Sequence, residues 1–235
     1  MKTKTLGTIV AAMPLILSTQ LANAAVGPVL TLYDWGFNID GSVSNKLNGD
    51  SVPAAINQAG FNFATGLGTL SLQISGSGNH FFDAFFDHEI DEAINGFTNE
   101  SGAANGTAAA GQSWEIDEPG WVFGDIYGNF LASGLDNTNA IPAGFEDDVS
   151  MALGWDFALG VDQTAIISLV LSDIAPTSGF YLSQTDPDSQ SSIYFSSNLT
   201  ISQGQPPTIP EPSVIWLLGM GLLGAAAQSR FKKQA

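Results

Sequence analysis

Met151-Ala152-Leu153-Gly154-Trp155-Asp156-Phe157-Ala158-Leu159 is the stretch that decides the fold class. Its odd positions carry Met, Leu, Trp, Phe and Leu; its even positions carry Ala, Gly, Asp and Ala. Successive side chains of a strand point to opposite faces, so this pattern predicts a strand with one apolar face and one open face. Gly160 to Gln163 reads as a turn, and Ile166 to Leu171 as the hairpin partner returning from it. Ile193, Phe195, Leu199 and Ile201 give a last strand.

Working outward, Gly, Asn, Ser and Thr recur at short spacing and helix signals are poor, as in an all-β chain. Strands are expected at Val29–Ile39, Thr69–Ser75, Asn79–Asp91, Ser113–Asp117, Trp121–Phe130, Ser150–Leu159, Ala165–Ser172, Gly179–Gln184 and Ser191–Ile201. His80 to Ile90 fits both periods, because Phe82, Phe86 and Ile90 also recur at helical spacing. Its β neighbourhood decides for strand. Thr98 to Gly111 reads as a long Gly/Ala/Asn loop. The predicted architecture is a single-domain β-sandwich of jelly-roll-like type.

The chain has 235 residues, no cysteine and a formal net charge of −17. The charge is unevenly placed. Lys2 and Lys4 lie at the N-terminus, and Arg230, Lys232 and Lys233 at the C-terminus. Lys46 is the one basic residue of the intervening body, against 22 of the 23 acidic residues, a formal charge of −21 for residues 25–209. Such a body has nothing with which to neutralise nucleic-acid phosphates or anionic lipid heads, so nucleic acid is excluded as a partner. Salt bridges cannot offset its charge, and counter-charge must come from solution. A solvated acidic surface is one reading; divalent cations held by carboxylate clusters is the other.

Four carboxylates are the candidate calcium ligands. Glu89-Ile90-Asp91-Glu92 and Glu115-Ile116-Asp117-Glu118 repeat one motif, each with an aromatic five residues after its last acid, Phe97 and Phe123. Within a strand, Glu89 and Asp91 share a face, as do Glu115 and Asp117. Were the two strand ends side by side, Glu89, Asp91, Glu115 and Asp117 would converge and repel unless a cation lay between them. Calcium suits such a set of oxygens, although two unrelated acidic strand ends would read the same way. Glu146-Asp147-Asp148 offers further oxygens, or a solvated edge. His80, Asp83, Asp87, His88, Glu89 and Asp91 are the one His/carboxylate cluster, without a zinc-binding spacing. Asp186-Pro187-Asp188-Ser189 opens like an EF-hand loop but lacks its Gly and its closing Glu, so it reads as a turn closed by Asp side chains.

No nucleophile elbow, cysteine nucleophile or phosphate-binding glycine loop is present. Paired carboxylates for glycan hydrolysis remain open, since their separation is spatial. Trp35, Trp114 and Trp121 are either core residues or platforms for sugar rings.

Both ends are addresses. Met1 to Ala24 has a basic start, an apolar run from Leu6 to Leu17 and the cleavage pattern Ala22-Asn23-Ala24, which together read as a secretory signal peptide. The body then spans 25–202 and a Gln/Pro-rich linker 203–209. Residues 210–235 begin Pro210-Glu211-Pro212, continue with an uncharged, Gly-interrupted apolar run over about 213–229, and end in a basic tail at 230–233. That run is short for a span, which wants ~20 residues. The basic tail places the C-terminus in the cytoplasm and the body outside.

Pro210-Glu211-Pro212, the Leu/Gly-rich run and the Arg230, Lys232 and Lys233 cluster resemble the PEP-CTERM sorting signal of Gram-negative bacteria. The resemblance implies an exosortase, an integral-membrane cysteine protease, as partner. It implies transient single-pass residence in the inner membrane, cleavage near the tripeptide, and release to the cell surface or an exopolysaccharide matrix. Because that signal is shared by varied cargo, it leaves the activity of the body open. The expected role is non-catalytic, structural or adhesive, with calcium as the candidate cofactor. A carbohydrate-binding module for exopolysaccharide and a two-carboxylate glycan hydrolase are the alternatives.

Overall fold

The computed structural model describes residues 28–120 and 122–204. The expected signal peptide at 1–24, the segment from 205 onward and Trp121 lie outside them. Eleven strands and two short helices follow in order among the described residues. The strands are β1 (Leu30–Ile39), β2 (Ser42–Asn45), β3 (Ile56–Asn62), β4 (Leu67–Ser75), β5 (Gly78–Ile90), β6 (Ser101–Asn105), β7 (Gln112–Asp117), β8 (Ser150–Leu159), β9 (Gln163–Ser172), β10 (Tyr181–Asp186) and β11 (Ser191–Gln203). Helix α1 (Glu92–Asn95) follows β5, and α2 (Ile126–Ala132) lies between β7 and β8.

All of these strand pairings are antiparallel, and they form two sheets. One sheet runs β2-β1-β5-β8-β7, the other β3-β4-β9-β11-β10-β6. The expected all-β sandwich is therefore present. Phe37, Phe82, Phe86, Met151, Leu153 and Trp155 of the first sheet bury themselves against Leu70, Leu72, Ile167, Leu169, Leu182 and Phe195 of the second. The rings of Phe86 and Phe195 meet edge to face at 5.1 Å. Each such side chain contributes ~1.5–3 kcal/mol by leaving water. Trp155 buries its ring here and donates its indole N–H to the Ser197 hydroxyl of β11 at 3.0 Å.

The apolar face at 151–159 is present, with Met151, Leu153, Trp155 and Leu159 buried, but the other face is open only at Asp156 and Ala158, since Ser150, Ala152 and Gly154 are buried as well. The expected hairpin return does not form. Strand β9 pairs β4 and β11, so the turn after Leu159 crosses from one sheet to the other instead of closing a hairpin. Both β8 and β9 carry one apolar face, and facing each other across the core buries both faces at once. The strand expected at Trp121–Phe130 is corrected: residues 126–132 are α2. Ile126 and Phe130, one helical turn apart, are the buried residues of this helix and join Phe85 in one apolar cluster. The loop expected at 98–111 contains β6, paired with β10. Gly102 permits this, because a Cβ there would stand 2.3 Å from the Ile116 side chain.

The connection from β7 to β8, residues 118–149, lays α2 over the outer face of the first sheet and then returns along the edge. There Asn139 bridges Ile116 of β7, and Ile141 and Asp147 bond to Gly102 and Glu100, forming a cover over face and edge. Phe85, Ile126, Phe130, Leu135 and Ala152 make a second, smaller core beneath this cover. Gly36 of β1 lets the cover come close, since a Cβ there would lie 2.7 Å from the Phe130 ring. Asn38 ties it down by donating to the Phe130 carbonyl at 3.0 Å.

Candidate functional site

The outer face of the first sheet, beneath the cover, is lined with acids. Strand β5 sends Phe82, Phe86 and Ile90 into the main core, and its alternate residues Asp83, Asp87 and Glu89 to this face. On β1 a bulge between Leu32 and Asp34 resets the alternation. Leu32 enters the core, Tyr33 is exposed, and Asp34 turns to the acidic face. In register, Asp34 pairs with Asp87, Asp87 with Ser150 of β8, and Ser150 with Asp117 of β7. One row across four strands thus carries three carboxylates and a hydroxyl, all buried.

Two groups of three carboxylates form here, each with ligand atoms within 4.8 Å of one another. The first is Asp87, Glu89 and Asp148; the second is Glu115, Asp117 and Asp125. Their hydrogen bonding separates them. Asp117 accepts the Glu118 N–H at 2.9 Å and the Asp125 N–H at 2.8 Å. Glu115 accepts the Asn129 amide at 2.9 Å and the Asp136 N–H at 3.2 Å. These bonds fasten the cover to the sheet, so the second group has a structural occupation. In the first group both oxygens of Asp87, Oε2 of Glu89 and Oδ1 of Asp148 are buried and accept no hydrogen bond. Oδ2 of Asp34 and Oγ of Ser150, the two neighbours of Asp87 in the row, are also without a partner.

The charges are unfavourable. Burial pushes the Asp87 carboxyl well above the usual range, and Asp148, Glu89 and Asp34 push the same way; the Ser150 hydroxyl alone opposes them. Glu89 is raised to about 8 by burial, then by Asp148 and Glu92. Asp148 is raised to about 6 by burial, then by Asp147 and Glu92. Asp34 is raised by burial, against the pull of backbone N–H groups and Lys46. The Lys46 ammonium gives no direct pairing, since it donates to the Leu32 and Tyr33 carbonyls at 2.7 and 2.8 Å.

The four sequence-derived calcium candidates are not brought together. Strands β5 and β7 both neighbour β8 and do not touch each other. Asp91 accepts the Val29 N–H at 2.7 Å, closing the start of β1. Glu115 and Asp117 belong to the bonded group, and only Glu89 joins the unbonded one. Of the three acids at 146–148, Asp148 reaches Asp87 and Glu89. Sequence reasoning did not connect Asp34 or Ser150 with this cluster. The face of Ser150 follows from the alternation of β8, but that of Asp34 depends on the bulge. The two histidines are far apart in role: His80 bonds Asp40 at 2.8 Å on the surface, and His88 is buried in the inner face with its Nε2 3.3 Å from the Gly66 carbonyl. Burial lowers His88 to about 4, so it is neutral. Asp186 accepts the Asp188 and Ser189 N–H groups, the expected side-chain-closed turn. Trp35 is buried, and Trp114 packs against Phe180 with ring centroids 5.8 Å apart.

Beside the unbonded group opens a cleft of about 540 Å³, lined by Phe97, Glu118, Val122, Phe123, Asp147 and Asp148 among others. Phe123 is 83% exposed and Phe97 49%. Glu118 is raised to about 7 by burial, reinforced by the adjacent Asp147 carboxyl. The cleft is thus an apolar rim over carboxyl oxygens, with Asp148 shared between it and the buried cluster.

The body so described is an acidic two-sheet antiparallel sandwich with one face closed by a helical cover. What the chain carries after it is the PEP-CTERM protein-sorting motif, whose family model matches residues 208–230. This match includes Pro210, Glu211, Pro212 and Arg230, and marks an exported protein sorted by an exosortase. No curated protein and no solved structure matches the chain. Among the described residues no helix is long and apolar enough to cross a membrane, and the expected span at 213–229 lies outside them.

Proposed function

We propose that this protein is a non-catalytic structural or adhesive component of the cell envelope or its exopolysaccharide matrix, with calcium stabilising its acidic body. The sorting motif at residues 208–230 is the observation that carries the reading. Export begins with removal of the signal peptide after Ala24. The segment around 213–229 then holds the chain once across the inner membrane, with Arg230, Lys232 and Lys233 in the cytoplasm. The exosortase cuts near Pro210-Glu211-Pro212 and frees the body. Two prolines keep that tripeptide extended and open to a protease. A lone lysine and a charge of −21 suit a body that stays soluble outside the cell and meets counter-ions there.

Intact-mass analysis of the surface form is the test. A C-terminus near residues 210–212 is expected, and full-length membrane-bound chain should accumulate when Pro210 and Pro212 are both replaced by Ala. A surface form still carrying Ala235 would sink the sorting step.

The cleft favours a second reading, a binding site for exopolysaccharide. Exposed Phe97 and Phe123 offer faces for sugar rings, and Glu118, Asp147 and Asp148 offer acceptors for their hydroxyls. Glycan-array binding lost on Phe123→Ala supports it; no binding to any glycan leaves the structural role alone.

A further inference from the structure

We propose that Asp87, Glu89 and Asp148, flanked by Asp34 and Ser150, form a calcium site that locks the cover onto the sheet. The site deepens the calcium part of the reading above and rests on it; the sorting step is independent of both.

An acidic cluster by itself means little in a chain this acidic. What distinguishes this one is its unmet hydrogen-bonding capacity. Asp87 is 1% exposed, and neither of its oxygens accepts a hydrogen bond. Ser150, which is not acidic, is fully buried in register beside it and leaves its hydroxyl unpaired as well. With Asp34 Oδ2, Glu89 Oε2 and Asp148 Oδ1, five neighbouring carboxylate oxygens accept no hydrogen bond of normal geometry, and the single proton of the Ser150 hydroxyl can answer only one of them. Buried polar atoms are almost always satisfied, so this group of exceptions points to a missing electron acceptor. Lys46 does not supply it: its ammonium donates to two carbonyls and makes no ion pair with these acids.

A hard cation satisfies them. Calcium takes six to eight oxygens at ~2.3–2.6 Å, so two ligands on opposite sides of one ion stand at most ~5 Å apart. The carboxylate oxygens of Asp87, Glu89 and Asp148 lie within 4.8 Å of one another. Carboxyl, hydroxyl and water oxygens of mixed denticity suit calcium better than magnesium, which demands near-ideal octahedral geometry. The placement gives the ion a mechanical role. Asp87 and Glu89 belong to β5 and Asp148 to the last residues of the cover before β8, so one ion joins β5 to the end of that segment. Glu115 and Asp117 fasten the other side of the cover by hydrogen bonds alone.

The test is calcium titration of the full-length chain in detergent at pH 8, by calorimetry and thermal melting, with magnesium and EDTA as comparisons. Wild type should melt roughly 5–10 °C higher at a hundredfold excess of calcium over its Kd than in EDTA. Asp87→Asn should melt in EDTA at or above wild type, since a buried like-charge is removed, and should not respond to calcium. Asp148→Asn, on the accessible cover, should lose calorimetric binding by at least tenfold without loss of fold. Glu115→Gln should keep the calcium response. A wild type indifferent to calcium overturns both the site and the calcium-stabilised reading. A calcium rise that survives Asp87→Asn and Asp148→Asn overturns the site and leaves that reading standing.

Discussion

The two faces of β5 meet the same problem with opposite means. Phe82, Ala84, Phe86 and Ile90 point inward and need nothing but neighbours to fill space. Asp83, Asp87 and Glu89, alternating with them, point outward and are nearly as dry beneath the cover. Removing apolar groups from water stabilises the sheet whatever the solution contains. Removing carboxylates from water costs free energy unless a donor or cation meets them, so the outer face makes stability depend on pH and ions. Strand pairing is shared by both faces, and that leaves the side chains to divide the strand into a permanent half and a conditional half.

The largest break in this comparison comes from the permanent half. Phe86→Ala should destabilise by ~3–5 kcal/mol in urea melts, with or without calcium, because Phe37, Phe61 and Phe195 all pack on that ring. Phe130→Ala removes the apolar anchor of the cover and should fall at the lower end, about 3 kcal/mol, since a short helix can shift to close the cavity more readily than a sheet. Its effect should appear first as faster amide exchange in the 126–136 segment.

Asp83→Asn probes the conditional half away from the proposed ion. Burial raises Asp83 to about 6, with Asp156 adding and Ser133 opposing. A carboxyl whose folded pKa lies above its unfolded value supports the fold fully below that unfolded value. It loses this contribution as pH rises toward about 6. The neutral Asn should therefore stabilise by on the order of 1–3 kcal/mol at pH 8 in EDTA, and the gain should vanish near pH 4. A variant less stable than wild type at pH 8 would mean that Asp83 is held by bonds worth more than its charge costs. The smallest effect belongs to the surface. The Asp40 bond raises the His80 pKa, so this pair stabilises at acid pH and fades as pH passes through that raised value. Asp40→Asn should lower the pKa seen by NMR and cost a few tenths of a kcal/mol at pH 5.

Much of the sandwich was legible in the sequence, because period-two alternation is a local property. Strand β8 shows it over its whole length, and His80 to Ile90 was rightly assigned to a strand from its neighbours. Helix α2 was not legible: Ile126 and Phe130 read equally as strand residues until Phe85 was there to receive both. Strand β6 was hidden by its small residues, of which Gly102 is small because Ile116 of another strand fills the space of a side chain there. The E-I-D-E repeat marks two acidic strand ends that the structure places on separate strands. Strand order inserts β8 between them, and nothing in either segment encodes that neighbour.

The sequence by itself determined the all-β class, the near absence of internal counter-charge, and the sorting motif at residues 208–230, all of which depend on residue type and short spacing. Only the tertiary structure decided which carboxylates go unanswered. A one-residue bulge after Leu32 turns Asp34 toward Asp87, and the end of a 32-residue cover returns Asp148 to the same point. Whether an acid is satisfied depends on donors brought from elsewhere in the chain, and those are set by register and strand order.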